Sequence, residues 1–306
     1  MEQLLRNVLL FLSKSKIAEQ FAKKWGHYLG ADRFVAGESI ENAIQAIKEL
    51  NNKGILATLD HLGEFVSRPE EAIIATEYCL KTLDAIYHSQ VRSHLSVKLT
   101  QLGLDISKEL CLDNMCRIVE QAKKYDNFVR IDMEDYAHNE VTIEIFKNLR
   151  ERYGENIGLV LQAYLYKVER DLDDLHVYRP NLRIVKGAYK ESPAVAFPQK
   201  KDVDRNFIKI IEKQLMYGNY AAVATHDEAI IDHVKRFVKE KNIPNSLFEF
   251  QMLYGIRPAL QEQLVTEGYT VRVYVPYGED WYGYFMRRLA ERPANVGFIL
   301  KSLFKK

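Results

Sequence analysis

Cysteine is scarce in this chain, with three among 306 residues: Cys79, Cys111 and Cys116. An odd, scattered set argues against a disulfide framework and fits a reducing compartment. Cys111 and Cys116 also lack the spacing and the nearby histidine of a zinc site. Net charge is nearly absent: 43 Lys and Arg against 42 Asp and Glu leave a formal +1. Neither that balance nor any basic patch interleaved with aromatics points to nucleic acid. Proline is held to eight residues, and no Pro/Gly/Ser-rich stretch marks a linker. The simplest organisation is an N-terminal helical arm over residues 1–50 and one compact body over 51–306. Long apolar runs are missing at the N-terminus, where "NVLLFL" is too short to cross a bilayer. It has no basic n-region and no small-residue cleavage site, so the cytoplasm is the default location. The short basic end "FILKSLFKK" could touch the inner face of a membrane as a peripheral contact, although a packed last helix with a solvated tail is the commoner arrangement.

What is present is a rhythm. Residues 1 to about 50 carry helical periodicity. Eight short β-rich runs then alternate with amphipathic stretches: "GILATLD" (54–60), "HLSVKLT" (94–100), "FVRIDME" (128–134), "IGLVLQAY" (157–164), "LRIVKGA" (182–188), "AAVATHD" (221–227), "LFEFQML" (247–253) and "TVRVYVP" (270–276). Pro69 suits a first helical turn, and Gly154, Gly218 and Gly268 suit helix ends. Strand and helix repeated eight times is the length and order of an α/β fold of the (β/α)8, TIM-type barrel class. A doubly wound open sheet would call for G-x-G-x-x-G after the first strand, and "LDHLGEF" lacks it.

Active sites of such barrels form at the C-terminal ends of the strands. Those ends carry Asp60 and His61, Lys98, Asp132 and Glu134, Gln162, Arg183 and Lys186, Thr225 to Asp227, Glu249 and Gln251, and Tyr274. One buried charge is commonly a structural pair, but a ring of them suggests a site. Lys98 or Lys186 could form a Schiff base, as in an aldolase. Asp60, Asp132, His226 and Asp227 could hold a metal, but no closely spaced histidine pair supports that. No G-x-S-x-G offers a nucleophilic serine. A bound organic cofactor doing the chemistry is the remaining option. "VKGAYK" suits it, because Gly187 allows close backbone approach and Lys186 adds a cation. The loop "KESPAVAFPQKKDVD" (190–204) is long and is expected to cover such a ligand.

Near the C-terminus, "GEDWYGYFMRRLAERP" reads as a helix with Glu279 and Asp280 in its first turn. Tyr284, Arg287, Arg288 and Glu291 share one face. A solvated face with an Arg287–Glu291 pair is the plain explanation. The alternative is a clamp: two guanidinium forks above the barrel mouth can grip a carboxylate or phosphate.

Seven segments in order, "SVKLTQLG", "VRIDMED", "LVLQAYLY", "RIVKGAYKE", "AVATHD", "FEFQMLYG" and "VYVPYGEDWYGYFMRRLAE", resemble proline dehydrogenase, most closely its short monofunctional bacterial type. The resemblance implies a flavin-binding catalytic barrel over 51–306, with FAD at the strand ends. It implies oxidation of L-proline to Δ1-pyrroline-5-carboxylate, a quinone-type electron acceptor, and a separate pyrroline-5-carboxylate dehydrogenase to consume the product. By the same resemblance, Arg287, Arg288 and Lys98 would bind the substrate carboxylate. Asp132, Tyr189, Leu253, Tyr274 and Tyr284 would shape the pocket. Met133, Gln162, Arg183, Lys186, Gly187, Ala188, Thr225 and His226 would hold FAD. Arg183 would lie near the reactive nitrogen, and Glu291 would brace the arginines. Larger bifunctional members have tryptophan where this chain has Lys190. The competing functions are a Schiff-base aldolase and a barrel that binds flavin or an amino acid without turnover.

Overall fold

The computed structural model describes residues 31–63 and 66–291. Residues 1–30 of the expected arm, and the "FILKSLFKK" end, lie outside the described residues. Each β-rich run corresponds to one strand, which extends at most one residue beyond it: β1 Leu56–His61, β2 Ser93–Val97, β3 Val129–Ile131, β4 Ile157–Gln162, β5 Leu182–Val185, β6 Ala221–Ala224, β7 Phe248–Leu253 and β8 Val271–Tyr277. They pair in sequence order, all parallel, and β1 meets β8 to close the barrel. Around them run α1 Ile40–Asn52, α2 Pro69–His88, α3 Lys108–Lys124, α4 Tyr136–Tyr153, α5 Val168–Leu175, α6 Lys200–Met216, α7 Glu228–Glu240, α8 Pro258–Thr266 and α9 Trp281–Glu291. None of the described helices is long and apolar enough to cross a membrane.

Local chemistry sets the helix ends. Pro69 opens α2, and the Glu71 carboxylate accepts from the Ser67 and Arg68 amides at 2.9 and 3.2 Å. Ser107, Asp135 and Asp227 cap α3, α4 and α7 by accepting backbone N–H groups. Gly154 ends α4 at φ 68°. One expectation is corrected: α9 starts at Trp281, so Glu279 and Asp280 stand ahead of the helix, not in its first turn.

Side chains alternate across each strand with period two. The outward row is apolar: Leu59, Val97, Ile131, Leu161, Ile184, Val223, Phe250 and Val273 join the main core beneath the helices. The inward row is polar and equally buried, with Thr58, Ser96, Arg130, Arg183, Glu249 and Arg272 all at most 5% exposed. Packing therefore holds the barrel from outside, while a hydrogen-bonded network fills its centre.

That network sets close tolerances. Arg130 donates to the Leu159 and Asn181 carbonyls at 3.1 and 2.6 Å, passing over Gly158 of β4. A Cβ on Gly158 would lie 2.6 Å from both Arg130 Nη1 and the Asn181 carbonyl oxygen, and 2.5 Å from the Phe128 ring. We expect Gly158→Ala to destabilise by about 1–3 kcal/mol, the usual cost of overpacking. A denaturant midpoint equal to that of the wild type would contradict this placement of Arg130.

The chain before α1 clasps the C-terminal face of the barrel. Ala36 N–H donates to Pro276 O at 2.9 Å, and Gly278 N–H to Gly37 O at 3.1 Å. Ala31, Phe34 and Val35 form a second apolar cluster with Trp281, Phe285 and Leu289 of α9. Trp281 Nε1 adds a 2.9 Å bond to Glu38. α1 itself buries Ala43, Ile44 and Ile47 in the main core. These contacts hold α9 beside the strand ends.

Candidate active site

Four residues singled out in the sequence meet at the C-terminal end of the barrel. Asp132, just past β3, accepts from Arg183 Nη1 at 2.6 Å and from the Tyr274 hydroxyl at 2.8 Å. Lys98 Nζ lies 4.0 Å from the same carboxylate and donates to the Tyr274 hydroxyl at 3.4 Å. Arg183 is held on three sides, because its Nε donates to Gln251 at 2.6 Å and its Nη2 to Ser96 at 3.2 Å. Its guanidinium also lies over the Tyr274 ring, 5.4 Å from the centroid. So fixed, it presents a cation in one orientation.

Other members of this network were noted in the sequence only as strand-end polar residues, or, like Ser96 and Arg272, not at all. Asp60 is 1% exposed and binds Lys98 at 2.8 Å. Burial pushes its carboxyl up, against the pull of Lys98. Gln251 donates onward to Glu249, which takes two bonds from Arg272 Nε at 2.9 and 3.1 Å. Three inner residues sit two positions before another network member: Ser96 before Lys98, Arg272 before Tyr274, Glu249 before Gln251. The strand period could have found Ser96 and Arg272.

Tyr274 remains a phenol, its pKa pushed well above the ordinary value by burial and then by Asp132. It therefore donates its proton to Asp132. His61 is held at about 4, by burial and then by Lys98, so its ring is neutral. That ring stacks on Tyr78 at 4.4 Å.

The other assigned residues fall around this centre. Tyr284 packs in the cluster that includes Tyr274, and Arg288 lies over the Tyr284 ring at 5.1 Å. Arg287 is half-buried on the same helix. The Glu291 side chain lies outside the described residues. Gln162 donates to the Glu134 carbonyl at 2.8 Å and lies 3.5 Å from that of Met133. Its Oε1 is buried and has no hydrogen-bond partner among the described residues. His226 Nε2 accepts from the Leu253 amide at 3.0 Å, which places its own proton on Nδ1. Thr225 is buried and accepts from the Asp227 amide at 3.1 Å. Lys186 pairs with Asp204 at 2.6 Å and Asp227 at 3.4 Å. Gly187 has φ 112°, and a Cβ there would meet the Tyr164 ring at 2.4 Å. Its missing side chain is thus filled by the protein itself. Ala188 is exposed and Tyr189 half-buried.

Other chemistries are less well served. Lys98, although buried, is ion-paired with Asp60, and Lys186 with Asp204, whereas a Schiff-base lysine is activated by an apolar pocket or by a neighbouring cation. Among the described residues, no three His, Cys, Asp or Glu side chains are grouped to hold a metal ion. The loop expected over 190–204 is shorter, since α6 begins at Lys200. It is pinned to the turn after β4, with Tyr166 N–H on Val195 O at 3.0 Å and Phe197 N–H on Tyr164 O at 2.8 Å.

Comparison with known proteins places the chain in a family. The proline dehydrogenase family profile matches residues 43–301. Proline dehydrogenase 1 of Bacillus subtilis (strain 168) is 53% identical over 303 residues, covering 99% of this chain and 100% of that protein. Proline dehydrogenase of Deinococcus radiodurans is 46% identical over 308 residues, covering 99% of each. Among solved structures, proline utilization A (PutA) from Bdellovibrio bacteriovorus, inactivated by N-propargylglycine, superposes with a TM-score of 0.83 at 23% identity. It covers 99% of this chain, which spans only 38% of that longer protein, and at that identity it speaks for the barrel fold alone. With a profile match over most of its length and relatives near half identity end to end, this chain belongs to the proline dehydrogenase family.

Proposed function

We propose that this protein oxidises L-proline to Δ1-pyrroline-5-carboxylate, using FAD held at the barrel mouth. The observation that carries the reading is the Lys98–Tyr274–Asp132–Arg183 constellation at the strand ends. It sets fixed cations beside aromatic walls, which suits a small zwitterion with an apolar ring.

The residues present fit a flavin. Among the described residues, Gln162 offers a buried, unpartnered acceptor oxygen for a ring N–H, and Arg183 on β5 and Lys186 just past it supply cations. Gln162, Arg183, Lys186, Thr225, His226, Met133 and the backbone at Gly187 and Ala188 would hold it. Bound FAD supplies a two-electron acceptor for the hydride that leaves proline C5. Arg287, Arg288 and Lys98 bind the carboxylate and so turn the ring. Tyr189, Leu253, Tyr274 and Tyr284 pack on it and exclude water. Asp132 orients Arg183 and Tyr274 through the bonds described above. Positioning of this kind removes up to about 7–11 kcal/mol of barrier. Glu291 would brace the arginines. The electrons pass on to a quinone-type acceptor, and a separate dehydrogenase consumes the pyrroline. The domain boundary near residue 50 belongs to the same proposal.

The substrate nitrogen gives its lone pair to the forming C=N bond, so the amine is neutral when hydride leaves. Asp132 already serves Arg183 and Tyr274 and makes a poor base. Turnover should therefore rise with pH. The test is to trap the pyrroline with o-aminobenzaldehyde across pH 6 to 9. The expected result is a coloured adduct whose rate of formation climbs with pH. No adduct from L-proline would sink the function, and a flat profile would sink the proton argument.

A further inference from the structure

A cavity of about 660 Å³ opens at the opposite end of the barrel from the mouth. It lies between the N-terminal ends of β1, β2 and β8 and the C-terminal ends of α2 and α3. That volume is in the range of small-molecule sites. The reaction at the mouth gives it no role.

Its wall has a distinct chemistry. One side is a stacked pair of rings, Tyr87 and Tyr125, with centroids 4.2 Å apart and planes at 10°. Tyr87 is 52% exposed, so its ring leaves apolar area in contact with solvent. The cations are Arg92 and Arg272. Arg272 is 5% exposed and cannot swing away, since its Nε binds Glu249 and its Nη1 the Ala57 carbonyl at 2.8 Å. Arg92 donates to the Asn51 carbonyl at 3.0 Å and has no carboxylate partner among the described residues. Asp126 is the single carboxylate of the wall. His94 lines the floor, and its ring makes no hydrogen bond among the described residues. Burial, then Arg272, Arg130 and Arg183, hold it well below the ordinary value, so it offers one donor and one acceptor nitrogen.

We propose that this cavity is a second small-molecule site and takes a planar aromatic carboxylate. The ring would lie along Tyr87 and Tyr125, and the carboxylate would meet Arg92. Aromatic pairs of this kind add to area burial, and a guanidinium recognises carboxylate through paired N–H donors. The proposal is independent of the reaction at the mouth.

Benzoate is the probe, titrated calorimetrically into the FAD-loaded protein, with benzamide as its uncharged counterpart. Benzoate should bind saturably, with Kd on the order of 1 mM or tighter. Benzamide should bind at least about ten-fold more weakly. Arg92→Gln and Tyr87→Ala, both at exposed positions, should each weaken benzoate by about ten-fold or more. Arg287→Ala, which disables the mouth, should leave this binding unchanged. Binding lost in Arg287→Ala but kept in the other two would assign benzoate to the mouth and overturn the proposal. Absence of saturable binding would overturn it too.

Discussion

Asp132→Ala should lose both turnover and stability. The carboxylate is the common acceptor of Arg183 and Tyr274, and its side chain is 12% exposed against 6% for Arg183. Removing one partner of a buried pair leaves the other uncompensated, which costs about 3–5 kcal/mol. The guanidinium would keep Gln251 and Ser96 but lose the bond that fixes its third edge. A misplaced group at a reacting centre costs on the order of 100-fold in rate. We therefore expect kcat/KM for proline to fall by at least about 100-fold, together with a lower unfolding midpoint. A variant with normal stability and normal kcat/KM would show that the Asp132–Arg183 pair holds nothing in place.

Arg287→Lys should raise KM for proline while leaving the fold intact. The substitution keeps charge and removes the planar fork. Charge-assisted contacts are worth about 1.5–3 kcal/mol, or roughly 10- to 150-fold in affinity. Arg287 is half-buried on α9, whose apolar face is carried by Trp281, Phe285 and Leu289 instead, so stability should change little. A KM equal to that of the wild type would remove Arg287 from the carboxylate site. The two substitutions would thus separate the two proposed roles, Asp132 in ordering the centre and Arg287 in reading the substrate.

The barrel was legible in the sequence because its outward strand row is so regularly apolar. Leu59, Val97, Ile131 and Val273 occupy equivalent places and mark their strands. The mouth residues Lys98, Asp132 and Tyr274 were legible because they are polar ends to those runs. The interior was harder. Ser96, Arg130 and Arg272 lie inside apolar runs and pass for edge or solvent-facing positions, yet each is buried and bonded. Their partners lie far along the chain, 23 residues away for Arg272 to Glu249, 87 for Ser96 to Arg183 and 215 for Arg272 to Ala57. No local pattern encodes that pairing. At Gly187 the sequence suggests room for a ligand, and the structure adds a second demand the sequence does not show: a Cβ there would meet the Tyr164 ring from the neighbouring turn. The start of α9 was set one turn too early because acidic residues ahead of a helix look like its first turn.

The central claim, a flavin reduced by proline at this barrel mouth, is tested most directly by an anaerobic absorbance scan of the FAD-loaded protein. The spectrum is taken before and after addition of L-proline. The account predicts a flavin spectrum that bleaches on addition of L-proline. A flavin spectrum that L-proline leaves unchanged, or a protein that retains no flavin after incubation with FAD, would contradict it.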